Sequence, residues 1–360
     1  MGVSVDRVLL AQPRGFCAGV EMAIKALTWM VRVFEPPVYC YHEIVHNQVV
    51  VERFRRLGVV FVEGIDEVPP GAPLMLSAHG TAPAVVEAAR QRAGTVVNAV
   101  CPLVTKVHHE VKTRAKAGYT ILYVGHAGHE EAIGTTAVAP DAVHLVEAGP
   151  SYDPAALEVP EGTEKLALIA QTTLSHDEWA DIMEAARRRY PEVWLPGRSD
   201  LCFATTNRQL ALRAVADRAD AVVVLGSANS SNTVALEKVA RSVGVRRVLR
   251  INGADELPAD LTGVVAVTAG ASAPEELVEE VVARLAPKDG VEEVAAVDED
   301  EYFPPPRELR ELLRGITVAA GLLFGQPAAP GGPLADDRGQ PAAEVLDRLD
   351  HRPEVALRAS

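Results

Sequence analysis

Three cysteines of this 360-residue chain stand in the same local setting. Cys17 lies in GFCAG after the apolar run RVLLA, Cys101 in AVCPL after TVVNAV, and Cys202 in DLCFATTN after VWLPGRS. Each is followed by helical patterning. A cysteine just before a helix meets the positive end of the helix dipole, which favours the thiolate. Three soft thiolates from separate parts of a chain suit iron–sulfur ligation, and because a cubane cluster ordinarily takes four cysteines, three leave one iron open to a substrate. Zinc also accepts three thiolates but brings no redox chemistry, and the chain has no close C-x-x-C pair. The plainer alternative is three buried loop cysteines; their repeated location argues against it. Cys40, inside the strand-like VYCYH, reads as a small buried thiol.

Other polar residues gather at the ends of apolar runs. His79 ends LMLSAHG, and His126 and His129 lie in GHAGHEE directly after YTILYVG. Several histidines at strand ends suggest ligand contact, and Glu131 becomes a proton donor if its surroundings raise its pKa. SANSSN (227–232) and GASAP (270–274) each separate an apolar run from a helix. Their hydroxyls, amides and free backbone N–H groups make a phosphate cradle without formal positive charge, and they serve equally as helix caps. HEIVH (42–46) matches the H-E-x-x-H zinc signature, which needs both histidines on one face of a continuous helix. Here it follows the strand-like VYCY and precedes Asn47, a cap for the helix QVVVERFRRL that Gly58 ends. His46 then stands at a helix entrance, while His42 and Glu43 are structural.

The elements that must position these groups alternate along the chain. Apolar runs of strand length precede helical patterns almost throughout, which predicts α/β architecture with mainly parallel sheets. In such sheets ligands gather beyond the carboxyl ends of the strands, where the cysteines and histidines fall. Three similar lobes, each offering one cysteine to a common centre, account for the spacing: residues 1–100, 101–198 and 199–290, with the N-terminal strand a candidate to join the third. Residues 291–324 form a C-terminal extension in which ELRELLRGITVAAGLLF is one helix. From 325 to 360 the composition turns to Pro, Gly, Ala and charge, which predicts a disordered tail.

Composition is that of a folded soluble protein, 48% hydrophobic and 23% charged. A formal charge of −14 opposes binding to nucleic acid or an anionic membrane, so an anionic ligand must be held by local groups. No run approaches the roughly 18 apolar residues of a membrane span, and the N-terminus lacks a signal-peptide pattern. Four cysteines are too few and too scattered for a disulfide framework; the expected location is cytoplasmic.

Taken together, PRGFCAGV (13–20), HEIVHN (42–47), SAHG (77–80), CPLVTKVH (101–108), GHAGHEE (125–131), QTTLS (171–175), CFATTNRQ (202–209), GSANSSN (226–232) and TAGASAP (268–274) resemble the 4-hydroxy-3-methylbut-2-enyl diphosphate reductases, the IspH/LytB family. The resemblance runs in order from about residue 7 to about 309. It implies a trefoil of three α/β lobes around one [4Fe–4S] cluster per chain, held by Cys17, Cys101 and Cys202. It implies an allylic diphosphate substrate contacted by His46, His79, His129, Ser230, Ser231, Asn232 and Ser272, with Glu131 and Thr172 on the proton path. It further implies reduction to isopentenyl and dimethylallyl diphosphate in the non-mevalonate isoprenoid route, with a ferredoxin or flavodoxin as electron donor. The family pattern H-P-E-V-E-G-T reads HEEAIGT here, with Glu130 for the proline and Ile133 for the second glutamate; Glu130 could offset the lost carboxylate. Two rival functions make different demands. A zinc hydrolase needs HEIVH as its metal site, and a non-catalytic iron–sulfur redox sensor needs none of the histidine and Ser/Asn loops.

Overall fold

The computed structural model describes residues 4–148, 153, 157–197, 199–324 and 332–350. The chain opens with β1 (Ser4–Gln12), α1 (Ala18–Val33), β2 (Val38–Tyr41), α2 (Gln48–Arg56), β3 (Val59–Val62), β4 (Pro73–Leu76), α3 (Pro83–Arg92) and β5 (Thr95–Asn98). It continues through α4 (Pro102–Lys116), β6 (Thr120–Gly125), α5 (Glu130–Thr136), β7 (Val143–Glu147), β8 (Leu166–Ala170) and α6 (His176–Arg189). Then follow α7 (Phe203–Ala216), β9 (Ala221–Leu225), α8 (Ser231–Ser242), β10 (Arg247–Ile251), β11 (Thr262–Ala269), α9 (Glu275–Leu285) and β12 (Val291–Ala295). Helices α10 (Arg307–Phe324) and α11 (Ala342–Asp350) complete the described chain.

The strands form three sheets, ordered β10-β9-β11-β1-β12, β3-β2-β4-β5 and β7-β6-β8. Every ladder among the described residues is parallel. This is the α/β architecture with parallel sheets that the alternation predicts. The inner strand β9 (AVVVL) is buried along its whole length, because helices cover both faces of a parallel sheet, and β8 (LALIA), at the end of its sheet, is buried as well, with Trp194 bonded along its outer side. The N-terminal strand pairs with β11 and β12, and so joins the sheet built mainly from residues after 220. No helix among the described residues is long and apolar enough to cross a membrane.

Two sequence expectations for the C-terminal part need correction. The pattern continues past residue 290: β12 pairs with β1, and the sequence hides it because side chains of this edge strand are alternately exposed. The expected tail disorder does not hold for residues 332–350. There α11 lies on α1 and adds Ala342 and Leu346 to the core that α1 shares with the β3-β2-β4-β5 sheet. Lys25 Nζ donates to the Asp337 carbonyl at 2.8 Å, and Ala342 N–H donates to Glu21 Oε2 at 2.7 Å. A short apolar stripe on one helix suffices to dock it, although the surrounding composition is polar. Residues 325–331 and 351–360 lie outside the described residues.

Candidate active site

Each of the three cysteines is the N-cap of a helix: Cys17 of α1, Cys101 of α4 and Cys202 of α7. Each is tied by its backbone to a different sheet. Cys17 N–H donates to the Ala271 carbonyl after β11 (3.1 Å), Cys101 N–H to Ala78 after β4 (3.0 Å), and Cys202 N–H to Thr172 after β8 (3.0 Å). The three sheets therefore bring one thiol apiece to one cavity. Gly19 lies against two of them. A Cβ there would sit 2.8 Å from Cys101 Sγ and 3.9 Å from Cys17 Sγ.

Burial raises the pKa of all three thiols, that of Cys202 to about 11; the charge of Cys17 raises Cys101 and Cys202 further, and that of Cys202 adds to Cys101. Thiolates can persist in such a place only beside a cationic partner, and a coordinating metal deprotonates a thiol outright. Opposing groups are already aimed at them. Arg208, with its guanidinium buried, favours the Cys17 thiolate, and Thr205 N–H donates to Cys202 Sγ at 3.1 Å. The donor set fits a thiolate-ligated cluster. Cys40 lies apart, fully buried in the apolar core beside α1.

Glu131 is 2% exposed and faces the same cavity. Thr172 N–H donates to its Oε1 at 2.8 Å and the Thr172 hydroxyl to Oε2 at 2.7 Å, while the Tyr123 hydroxyl reaches Oε1 at 3.3 Å. Loss of water outweighs these bonds and pushes the carboxyl up to about 7. A carboxylic acid that titrates near neutrality can give up a proton during turnover.

The histidines form a third group. The His46 and His79 rings stack at 3.8 Å, and His129 stands edge-on to both. His129 Nδ1 accepts from Glu131 N–H at 3.1 Å, so its proton sits on Nε2. Burial and the neighbouring histidines push its pKa down to about 3, which makes it a neutral donor. Ser230 caps α8, followed by Ser231 and Asn232. Asn232 Oδ1 accepts from Ala271 N–H at 2.9 Å, and its Nδ2 donates to Thr205 Oγ1 at 3.3 Å. Ser272 Oγ donates to the His46 carbonyl at 2.9 Å. All of these residues line the cavity that holds the thiols. The first turn of α8 presents free N–H groups, so this side of the cavity suits an anion.

HEIVH is a loop rather than a helix, with His42 in the left-handed region at φ 59°. His42 Nδ1 lies 3.0 Å from Glu130 and His46 Nδ1 lies 3.5 Å from Glu43, so the two histidines serve different partners. Of the loop histidines singled out in the sequence, His126 does not line the cavity. Several residues contribute without having been singled out. Thr205 bridges Cys202 and Asn232, and Arg208 holds the Cys17 loop through the Gly15 carbonyl at 2.7 Å. Phe303 lines the cavity with its ring 6.2 Å from that of Phe203. Thr205 and Arg208 lie inside the quoted CFATTNRQ, but the contacts that give them a part in the site, to Asn232 and to Gly15, lie far along the chain, as does Phe303.

Fold and site together define a class: an α/β protein with a three-thiol centre where three parallel sheets meet, and a cluster of histidine, serine and asparagine side chains beside it in the same cavity. The family model described as LytB protein matches residues 8–286. The chain belongs to the LytB protein family. It is 47% identical over 309 residues to a Rhodopirellula baltica protein named 4-hydroxy-3-methylbut-2-enyl diphosphate reductase, covering 84% of this chain and 96% of that one. A Tropheryma whipplei protein of the same name is 48% identical over 311 residues, covering 85% and 98%. The solved structure of the E-1-hydroxy-2-methyl-but-2-enyl-4-diphosphate reductase from Plasmodium falciparum superposes with a TM-score of 0.80 at 32% identity, covering 87% of this chain and 99% of that one.

Proposed function

We propose that this chain is a 4-hydroxy-3-methylbut-2-enyl diphosphate reductase, the last enzyme of the non-mevalonate isoprenoid route. The reaction takes two electrons and two protons, breaks the allylic C–O bond, releases water and leaves isopentenyl or dimethylallyl diphosphate. One observation carries the reading: the three N-cap thiols, a buried acid that titrates near neutrality and the histidine and Ser/Asn groups all face one cavity. A redox sensor has no use for the acid or the anion pocket, and HEIVH lacks the helix a zinc hydrolase needs.

Cys17, Cys101 and Cys202 would hold a [4Fe–4S] cluster. When bound, it supplies the electrons and an iron with an open position that acts as a Lewis acid. His46, His79 and His129, with Ser230, Ser231, Asn232 and Ser272, hold the diphosphate, which turns the hydroxyl end of the substrate towards the thiols. Neutral donors and helix-start N–H groups do this without a cationic clamp. Glu131 and the Thr172 hydroxyl form the proton path, and burial keeps bulk water from competing for the proton. The two electrons would come from an external one-electron carrier of ferredoxin or flavodoxin type.

Protein purified without oxygen should contain about four irons and four sulfides per chain, absorb broadly in the visible, and turn the substrate over with a chemical reductant. A loaded centre with no turnover would overturn the enzymatic reading.

A further inference from the structure

We propose that Glu130 is a positioning residue of the anion pocket: its carboxylate holds His79 with the Nδ1 edge turned away from the cavity and the Nε2 edge turned into it. Glu130 Oε2 lies 3.0 Å from His79 Nδ1 and accepts from Ser77 Oγ at 3.2 Å. Its other oxygen, Oε1, lies 3.0 Å from His42 Nδ1. A carboxylate facing Nδ1 makes that nitrogen the donor, fixes the ring against rotation and leaves Nε2 as the edge that meets a ligand. The stacked His46 ring, at 3.8 Å and 12°, holds the same orientation from the side.

A carboxylate beside an anion pocket would by itself repel the anion, and His42 answers this. Its left-handed backbone swings the ring onto Glu130, 3.0 Å from Oε1, and the hydrogen bond to Glu130 raises the His42 pKa, which favours the protonated ring on the carboxylate's outer side. Among the described residues, the other titratable groups near this cluster are His46 and His129 within the pocket, Glu43 beside His46, Glu63 outside at 3.8 Å from His42, Tyr41 with its ring 4.0 Å from that of His42, and Cys40 in the core behind. The cluster thus presents ring edges to the cavity and keeps its negative charge behind them.

This rests on the reading of the pocket as a diphosphate site, and the test separates the two. Affinity for inorganic diphosphate, KM and kcat are measured on the anaerobic holoenzyme, on Glu130→Gln, and on His42→Asn, which tolerates the left-handed backbone. Glu130→Gln is expected to raise both the diphosphate Kd and KM about tenfold, with kcat and visible absorption held within about twofold. His42→Asn should move Kd and KM in the same direction by a smaller factor. A simple structural defect would lower kcat and cluster content together, which this split excludes. The inference is overturned if Glu130→Gln binds diphosphate as the wild type does, if it binds more tightly, showing that the carboxylate only repels, or if kcat falls at constant KM. A wild type with no affinity for diphosphate would overturn the reading of the pocket, and this inference with it.

Discussion

Thr172 grips both oxygens of Glu131, its N–H on Oε1 at 2.8 Å and its hydroxyl on Oε2 at 2.7 Å. The grip has two states. When Glu131 is ionised the Thr172 hydroxyl donates to it; when Glu131 is protonated it can donate to Thr172 Oγ1, freeing that hydroxyl's own proton for a ligand in the cavity. Burial raises Glu131 to about 7, so the acid is loaded below that pH and empty above it. The rate of the protonation step should therefore fall as pH rises through about 7. Glu131→Gln should slow kcat by roughly 10²–10⁴ and abolish that limb, with the visible spectrum unchanged. A wild-type rate in the variant would remove Glu131 from the proton path.

Thr172→Val keeps the backbone bond and removes the hydroxyl. The Thr172 side chain lowers the Glu131 pKa, so its loss should move the limb of the pH profile to higher pH. Interrupting the relay should also cut kcat by about 10² at most, with KM little changed. A slowed enzyme whose limb stays in place would mean that the hydroxyl contacts substrate without tuning the acid.

Gly19 tests the thiol centre from its backbone side. A methyl group there would meet Cys101 Sγ at 2.8 Å, closer than Cβ atoms approach other atoms, and the sulfur cannot retreat freely because Cys101 N–H is tied to Ala78. Gly19→Ala should give protein that folds, with helical content unchanged, but that holds far less iron and sulfide after reconstitution. Normal iron and sulfide content would show that Cys101 Sγ can give way without loss of the centre, and that the bare Cα of Gly19 does not set the spacing of the thiols.

How far the sequence could be read follows from where each signal resides. Strands with both faces covered, such as β9, spell continuous apolar runs and are plain. The strands that the alternation did not announce, β3, β7, β10 and β12, are all at sheet edges, where exposed or half-buried positions interrupt the run. The thiols were legible because a cysteine at a helix start is a local pattern. Glu130 was visible as a departure, but its link to His42 and His79 joins the start of α5 to two loops and has no local signature. Arg208 is similar: its partners Gly15 and Glu299 lie far away in the chain on either side.

The segment 332–350 marks where composition misled, and it can be removed cleanly. Ala342, Val345, Leu346 and Leu349 are buried, and α11 packs on α1, the helix that Cys17 caps. Arg338 pairs with Asp300 at 2.9 Å and the Tyr302 hydroxyl donates to Asp337 at 3.0 Å, so the same segment restrains the stretch that leads to Phe303 on the cavity wall. Ending the chain after residue 331 exposes the apolar face of α1 and releases that stretch. Burial of four small and medium apolar side chains corresponds to several kcal/mol, so Tm of the loaded protein should fall by roughly 5–10 °C. The exposed Arg338–Asp300 pair adds little to this, since surface ion pairs are screened. KM should rise while the Glu131-dependent limb of the pH profile stays in place, because neither Glu131 nor Thr172 touches the removed segment. An unchanged Tm would show that α11 rests on α1 without stabilising it; a shifted pH limb would show that the segment acts on the proton path rather than on the cavity wall.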